Sequence, residues 1–270
     1  DGIPSIDQPV FKTVLEAVSL TPNDPVIGLE IAGDARAYPL RILIWHEIVN
    51  DTVGGMPVTV TYCPLCNTAL VFDRTVNGKV LDFGTTGKLR NSDLVMYDRQ
   101  TESWWQQALG EGIVGRMNGK TLTQLPGWME SWGTFRARNP EGLVMAEPDW
   151  PRSYGRNPYV GYDSLARPFL YSGEMPPHRI EPLSRVVRVG DRAWPLERVS
   201  KAGTLKEGGV VIDWSAGQAS ALDTGRIAEG RDVGNIRVRD AATGRDLVHD
   251  VVFAFAFHAF HPDGVWMLGK

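Results

Sequence analysis

Cysteine is nearly missing from this chain, with two in 270 residues. So few thiols cannot build a disulfide framework, which excludes the small stapled scaffolds. Lysine is scarce and forms no run, and a net charge of −4 offers nucleic acid no electrostatic footprint. No apolar stretch reaches the roughly 18–20 residues that cross a bilayer as a helix, so no transmembrane segment is expected in this chain. A Walker loop, a GxGxxG fingerprint, an HExxH helix and a GxSxG elbow are all absent. Phosphate, dinucleotide and serine-hydrolase chemistry therefore have no motif to rest on.

What is present is an ordinary globular composition, 43% apolar and 22% charged, long enough to bury one large core or two smaller ones. Tryptophan, proline and glycine are plentiful, which suits a compact, loop-rich exported fold. The chain opens Asp-Gly-Ile-Pro with no initiator Met, as after removal of a secretory signal or trimming. A periplasmic or otherwise extracytoplasmic location is the expectation.

Self-similarity organises the rest. Arg36-Ala37-Tyr38-Pro39-Leu40 returns as Arg192-Ala193-Trp194-Pro195-Leu196. Tyr97-Asp98-Arg99-Gln100-Thr101 returns loosely as Arg239 to Thr243, and the eleven residues from Phe135 return from Phe257 with Phe, Ala, Pro, Gly and Met in place. The expected fold is mainly β with short helices, a β-rich α+β protein, internally duplicated, its two related halves packed together. Residues 1–146 form the first repeat and 185–270 the second. Residues 147–184, rich in proline and tyrosine, form an ordered linker pinned by aromatic side chains. Hairpins are expected at Val26–Ile31 with Ala35–Tyr38, and at Ser184–Val189 with Arg192–Trp194. Short helices are expected from Phe135 and from Phe257.

Both cysteines fall in Thr61-Tyr62-Cys63-Pro64-Leu65-Cys66-Asn67-Thr68, a Pro-containing tip between β-prone stretches. A strand–CPxC–strand turn is the knuckle of rubredoxins and zinc ribbons, but no second knuckle exists here. The residues after Cys66 read as strand, which disfavours the helix-start dithiol of thioredoxin-like proteins. Aligning Tyr62 with Trp214 puts Ser215 and Gln218 opposite the thiols and Ala221-Leu222 opposite Ala69-Leu70. On that alignment the second half keeps the turn without cysteines.

His46 is the expected third metal ligand, because the second half lacks both this histidine and the thiols. A histidine with two thiolates suits copper or zinc, and an extracytoplasmic place favours copper. Glu47, Asn91, Ser92 and Asp93 are the expected supporting residues around those ligands. His258 and His261, three apart on an expected helix, are a weaker metal pair, while His178 and His249 read as surface residues. Asp98 and Asp240 read as turn formers, and Glu102 as a weak acid/base candidate.

Several stretches carry a family likeness: Asp24-Pro25-Val26-Ile27-Gly28, Ala37-Tyr38-Pro39-Leu40, Trp45 to Asp51, Val60 to Cys66, Asn91-Ser92-Asp93-Leu94 and Tyr97 to Ser103. They resemble the prokaryotic domain-of-unknown-function family numbered 3179, over nearly the whole chain. The resemblance implies an exported or lipid-anchored protein and no particular reaction. Members usually carry a glycine where this chain has Asn67, and an uninterrupted aromatic-alanine run where it has His258.

The expected function is metal binding, with copper the expected ion, a carriage, electron-transfer or redox role, and a redox or metal-delivery protein as partner. A metal-free thiol enzyme or dithiol redox protein using Cys63 and Cys66 with His46 as base is the alternative. A binding module is the third reading, with Trp104, Trp105, Trp128 and Trp132 stacking on sugars and the cysteines oxidised to a structural disulfide.

Overall fold

The computed structural model describes residues 2–269, and strands dominate it. Four α-helices of seven residues each occur among the described residues: α1 Leu40–His46, α2 Trp132–Arg138, α3 Leu196–Ala202 and α4 Ala254–Phe260. Both expected hairpins form. Pro25–Ile31 pairs antiparallel with Asp34–Pro39, and Arg185–Val189 with Arg192–Pro195. A proline ends each hairpin and serves as the N-cap of the helix that follows, α1 or α3; its fixed φ suits a helix entrance.

The two halves share more than these hairpins. After α2, Leu143–Met145 pairs parallel with Asp34–Pro39; after α4, Val265–Trp266 pairs parallel with Arg192–Pro195. Gly127–Ser131 flanks the first hairpin as Asp250–Phe253 flanks the second. Small closures match as well. The amides of Asn139 and His261 donate to the carbonyls of Phe135 and Phe257, at 2.9 and 2.8 Å.

One expected correspondence fails. In the first half Met56–Cys63 turns tightly into Thr68–Asp73, with Cys63 opposite Thr68. In the second, Val210–Ser215 pairs with Asn235–Asp240, and Ser215 faces Asn235. Ala221 and Leu222 lie in the long connection between those strands, not on a return strand. The CPxC turn is therefore particular to the first half, and the second half does not show that it forms without cysteines.

The main core gathers Ile27, Tyr38, Leu43, Val60, Tyr62, Leu70, Phe72, Phe83, Met96 and Trp105 between the sheets of the first half, and it reaches Phe253 and Phe255 of the second. Residues 147–184 are tied down by aromatics. The Tyr162 hydroxyl donates to the carbonyl of Leu65 at 2.9 Å, and Tyr171 packs on Phe255. This segment thus lies against the cysteine turn.

A buried thiol and carboxylate cluster

Two tight turns bring the site together. Cys63 ends the strand before the turn Pro64–Asn67 and Cys66 lies within that turn, where Asn67 holds a left-handed φ of 54°. Only glycine and short polar residues visit that region at low cost, which accounts for asparagine at this position. Opposite, Phe83–Arg90 pairs with Asp93–Asp98. Asn91 and Ser92 both have positive φ, 52° and 63°, the signature of a two-residue type I′ hairpin turn. That turn points the Ser92 carbonyl and the Asp93 carboxylate at the thiols.

The sulfurs of Cys63 and Cys66 and a carboxylate oxygen of Asp93 all lie within 4.8 Å of one another, and all three residues are buried. No disulfide joins the thiols. They donate to the carbonyl of Ser92, at 3.9 Å from Cys63 and 3.4 Å from Cys66. Asp93 Oδ2 accepts from Gln106 Nε2 at 2.6 Å and from the Ala108 amide at 2.9 Å. The Thr68 hydroxyl lies 2.7 Å from Gln107 Oε1 but 3.4 Å from Asp93 Oδ1. Its single proton goes to the closer acceptor, leaving Oδ1 free to face the sulfurs.

Burial governs the charges. It pushes both thiols above their usual range, and it pushes Asp93 up to about 6 despite the Ala108 and Gln106 donors and both thiols. Glu47 is pushed up to about 8, first by burial and then by the negative charge of Asp93. Glu47 also holds φ 59° at the end of α1, where Gly203 ends α3 with φ 70°. The carbonyls of these two residues accept matching bonds, from the Tyr62 amide at 2.8 Å and the Trp214 amide at 2.7 Å. A glutamate held where the other half uses glycine stores backbone strain of about 1–3 kcal/mol.

The structure does not bring His46 to the thiols. Its Nδ1–H donates to the Pro4 carbonyl at 2.7 Å, and its Nε2 accepts from the Tyr154 hydroxyl at 2.7 Å. Burial holds the ring below its ordinary pKa, so both nitrogens of a neutral imidazole are engaged elsewhere. Helix geometry gives the reason: His46 and Glu47 are neighbours at the end of α1, and it is Glu47 that feels Asp93. His258 and His261 join no cluster of metal donors among the described residues. His258 Nε2 sits 4.0 Å from Glu174, and His261 stacks on Phe257.

Asn91 is an exposed turn residue, Ser92 contributes its carbonyl, and Asp93 stands among the donors themselves. His249 is buried and stacked on Trp128, contrary to the surface reading. Trp128 carries Arg138 over its ring as well, Trp132 stacks on Phe135, and buried Trp105 donates to Asp98. These three indoles pack within the fold, Trp128 also lines a surface pocket, and half-buried Trp104 lies under Lys88. Asp98 and Asp240 each cap a turn by accepting from the threonine three residues on, as read from the sequence. Glu102 is exposed in the first of those turns.

Fold and site together define a β-rich protein with a buried sulfur and carboxylate cluster able to receive a metal ion. The family described as "Protein of unknown function (DUF3179)" matches residues 1–264, and the chain belongs to it. No curated protein and no solved structure matches the chain.

Proposed function

We propose that this protein binds one divalent metal ion through Cys63, Cys66 and Asp93. One observation carries the reading: three acidic donors, all buried, converge within 4.8 Å, and burial above all, with their mutual repulsion at the thiols, penalises their charged forms. Buried charges need partners, and a cation between them would turn that penalty into binding energy. Two thiolates with a carboxylate favour zinc. Copper keeps the support of the extracytoplasmic expectation but loses the expected third ligand, since the His46 imidazole is engaged by Pro4 and Tyr154 and the harder Asp93 carboxylate stands in its place. A metal-free thiol enzyme is disfavoured, since thiols pushed up by burial are poor nucleophiles.

The exported setting remains part of the proposal, because a bound ion would protect adjacent thiols from oxidation there. So does an internal duplication, supported by the shared hairpin, helix and parallel-strand order. A metal-delivery or redox protein is the proposed partner class. Elemental analysis of protein purified without added metal tests the site. About one ion per chain is expected in wild type and in His46→Ala, with at least a tenfold loss in Cys66→Ser and Asp93→Asn. Metal retained in all variants, or lost as fully in His46→Ala as in Cys66→Ser, would overturn it.

A further inference from the structure

A cleft of about 980 Å³ separates residues 163–166 and 179–185 from α3 and residues 231–233 of the second half. None of Cys63, Cys66 and Asp93 lines it, and its size is that of a small-molecule site. Trp214 forms part of its wall. Side chains alternate along a strand, so Trp214 shares a face of Val210–Ser215 with Val210 and Ile212, which are buried in the second half's own core. Trp214 is only half-buried, because the strand ends where that core meets the cleft. Its counterpart in the first half, Tyr62, is fully buried. The indole is held in place: its N–H donates to the Val233 carbonyl at 3.3 Å, and a Cβ at Gly234 would collide with that nitrogen.

The floor of the cleft is charged yet balanced. Asp163, its side chain 0% exposed, pairs with Arg185 at 2.9 Å and with Arg231 at 2.8 Å, and Arg231 also pairs with Asp223 at 3.1 Å. Asp163 Oδ2 takes those bonds and one from the Ser220 hydroxyl, while its buried Oδ1 accepts none among the described residues. An atom in that position calls for a donor. Ser184 and Ser200, which line the cleft, commit their protons to the carbonyls of Glu181 and Glu197. Each therefore offers a ligand only acceptor lone pairs. Glu197 is paired with Lys201, and Arg179 and Glu181, both exposed on the lining, carry one charge of each sign. No positive charge is left over for an anion, and the two arginines of the floor repel a cation. We propose that this cleft binds an uncharged carbohydrate, a short oligosaccharide. The apolar C–H face of one ring lies against Trp214, and the hydroxyls donate toward Asp163, Ser184 and Ser200. Sugars combine the three properties the lining selects: no charge, many O–H donors and one apolar face.

Saturation-transfer NMR on the full chain tests this, with glucose, cellobiose and the N-acetylglucosamine dimer as probes. Ring protons of a disaccharide are expected to receive saturation, and the disaccharide to bind more tightly than glucose. Trp214→Ala should weaken binding about tenfold, and Trp214→Phe should keep most of it. Ala166→Trp, at an exposed position on the lining, should block binding with the melting temperature unchanged. No transfer to any of the three probes would overturn the inference. So would binding that survives in both Trp214→Ala and Ala166→Trp, or binding that inorganic phosphate displaces.

Discussion

Single residues carry the chemistry, and their electrostatics give a sign that can be checked. Glu47 and Asp93 bind protons more tightly folded than unfolded, Glu47 at about 8 against 4.5 and Asp93 at about 6 against 3.8. Their contribution is therefore fully present below the unfolded values and is lost as pH rises through the folded ones. Metal-free protein should lose roughly a few kcal/mol of stability between about pH 4 and pH 8. Denaturant melts across that range should show the loss, and Glu47→Gln should flatten its upper part. Asn67→Ala should cost about 1–2 kcal/mol from the left-handed backbone, plus the 2.7 Å bond its side chain gives the Val251 carbonyl. Asn67→Gly should cost less, by the same melts. The thiols were legible from spacing alone. Asp93 was legible only as a neighbour, because the type I′ turn that aims it depends on a pairing register the sequence does not print. His46 misled for a related reason: its joint absence with the thiols from the second half was real, but adjacent residues at a helix end face different ways.

At the scale of elements, the hairpins were readable because alternation and Gly-Asp turns have a local cause, while the helices expected from Phe135 and Phe257 begin three residues earlier, at Trp132 and Ala254. What escaped was long-range pairing, most visibly the connection between Ser215 and Asn235, where matching letters suggested a return strand. Gly28 of the Asp-Pro-Val-Ile-Gly stretch has a packing cause. A Cβ there would sit 2.1 Å from Glu130 Oε1, and that carboxylate is held by both Arg138 Nη atoms at 2.6 Å. Glu130 is buried on the strand Gly127–Ser131. Gly28→Ala should push this ion pair apart. Arg138→Met should strand the buried carboxylate at a cost of about 3–5 kcal/mol, visible as a lower midpoint in chemical denaturation.

The whole molecule shows why the cysteine-free half matters. The Phe253 amide donates to the Cys66 carbonyl at 2.9 Å, and the Asn67 side chain reaches Val251. The second half thus braces the cysteine turn. Residues 147–184 read as a linker in sequence, since nothing in composition says what a linker rests on; in the fold they close over the cluster. Arg185, buried, ties Asp163 at 2.9 Å and Ser220 at 2.8 Å, one residue from the Tyr162 that caps Leu65. Arg185→Met should lower the melting temperature and speed metal loss to an added chelator, measured by the chelator's absorbance.

Ser92 Oγ donates to the Phe169 carbonyl at 2.5 Å, fastening that covering segment to the very turn that aims Asp93. On the metal reading, an ion held by the sulfurs would leave only when this latch came undone, and its residence time would follow how often the segment lifts. An ion held in that way would change hands slowly in free solution and quickly only where something pried the latch open.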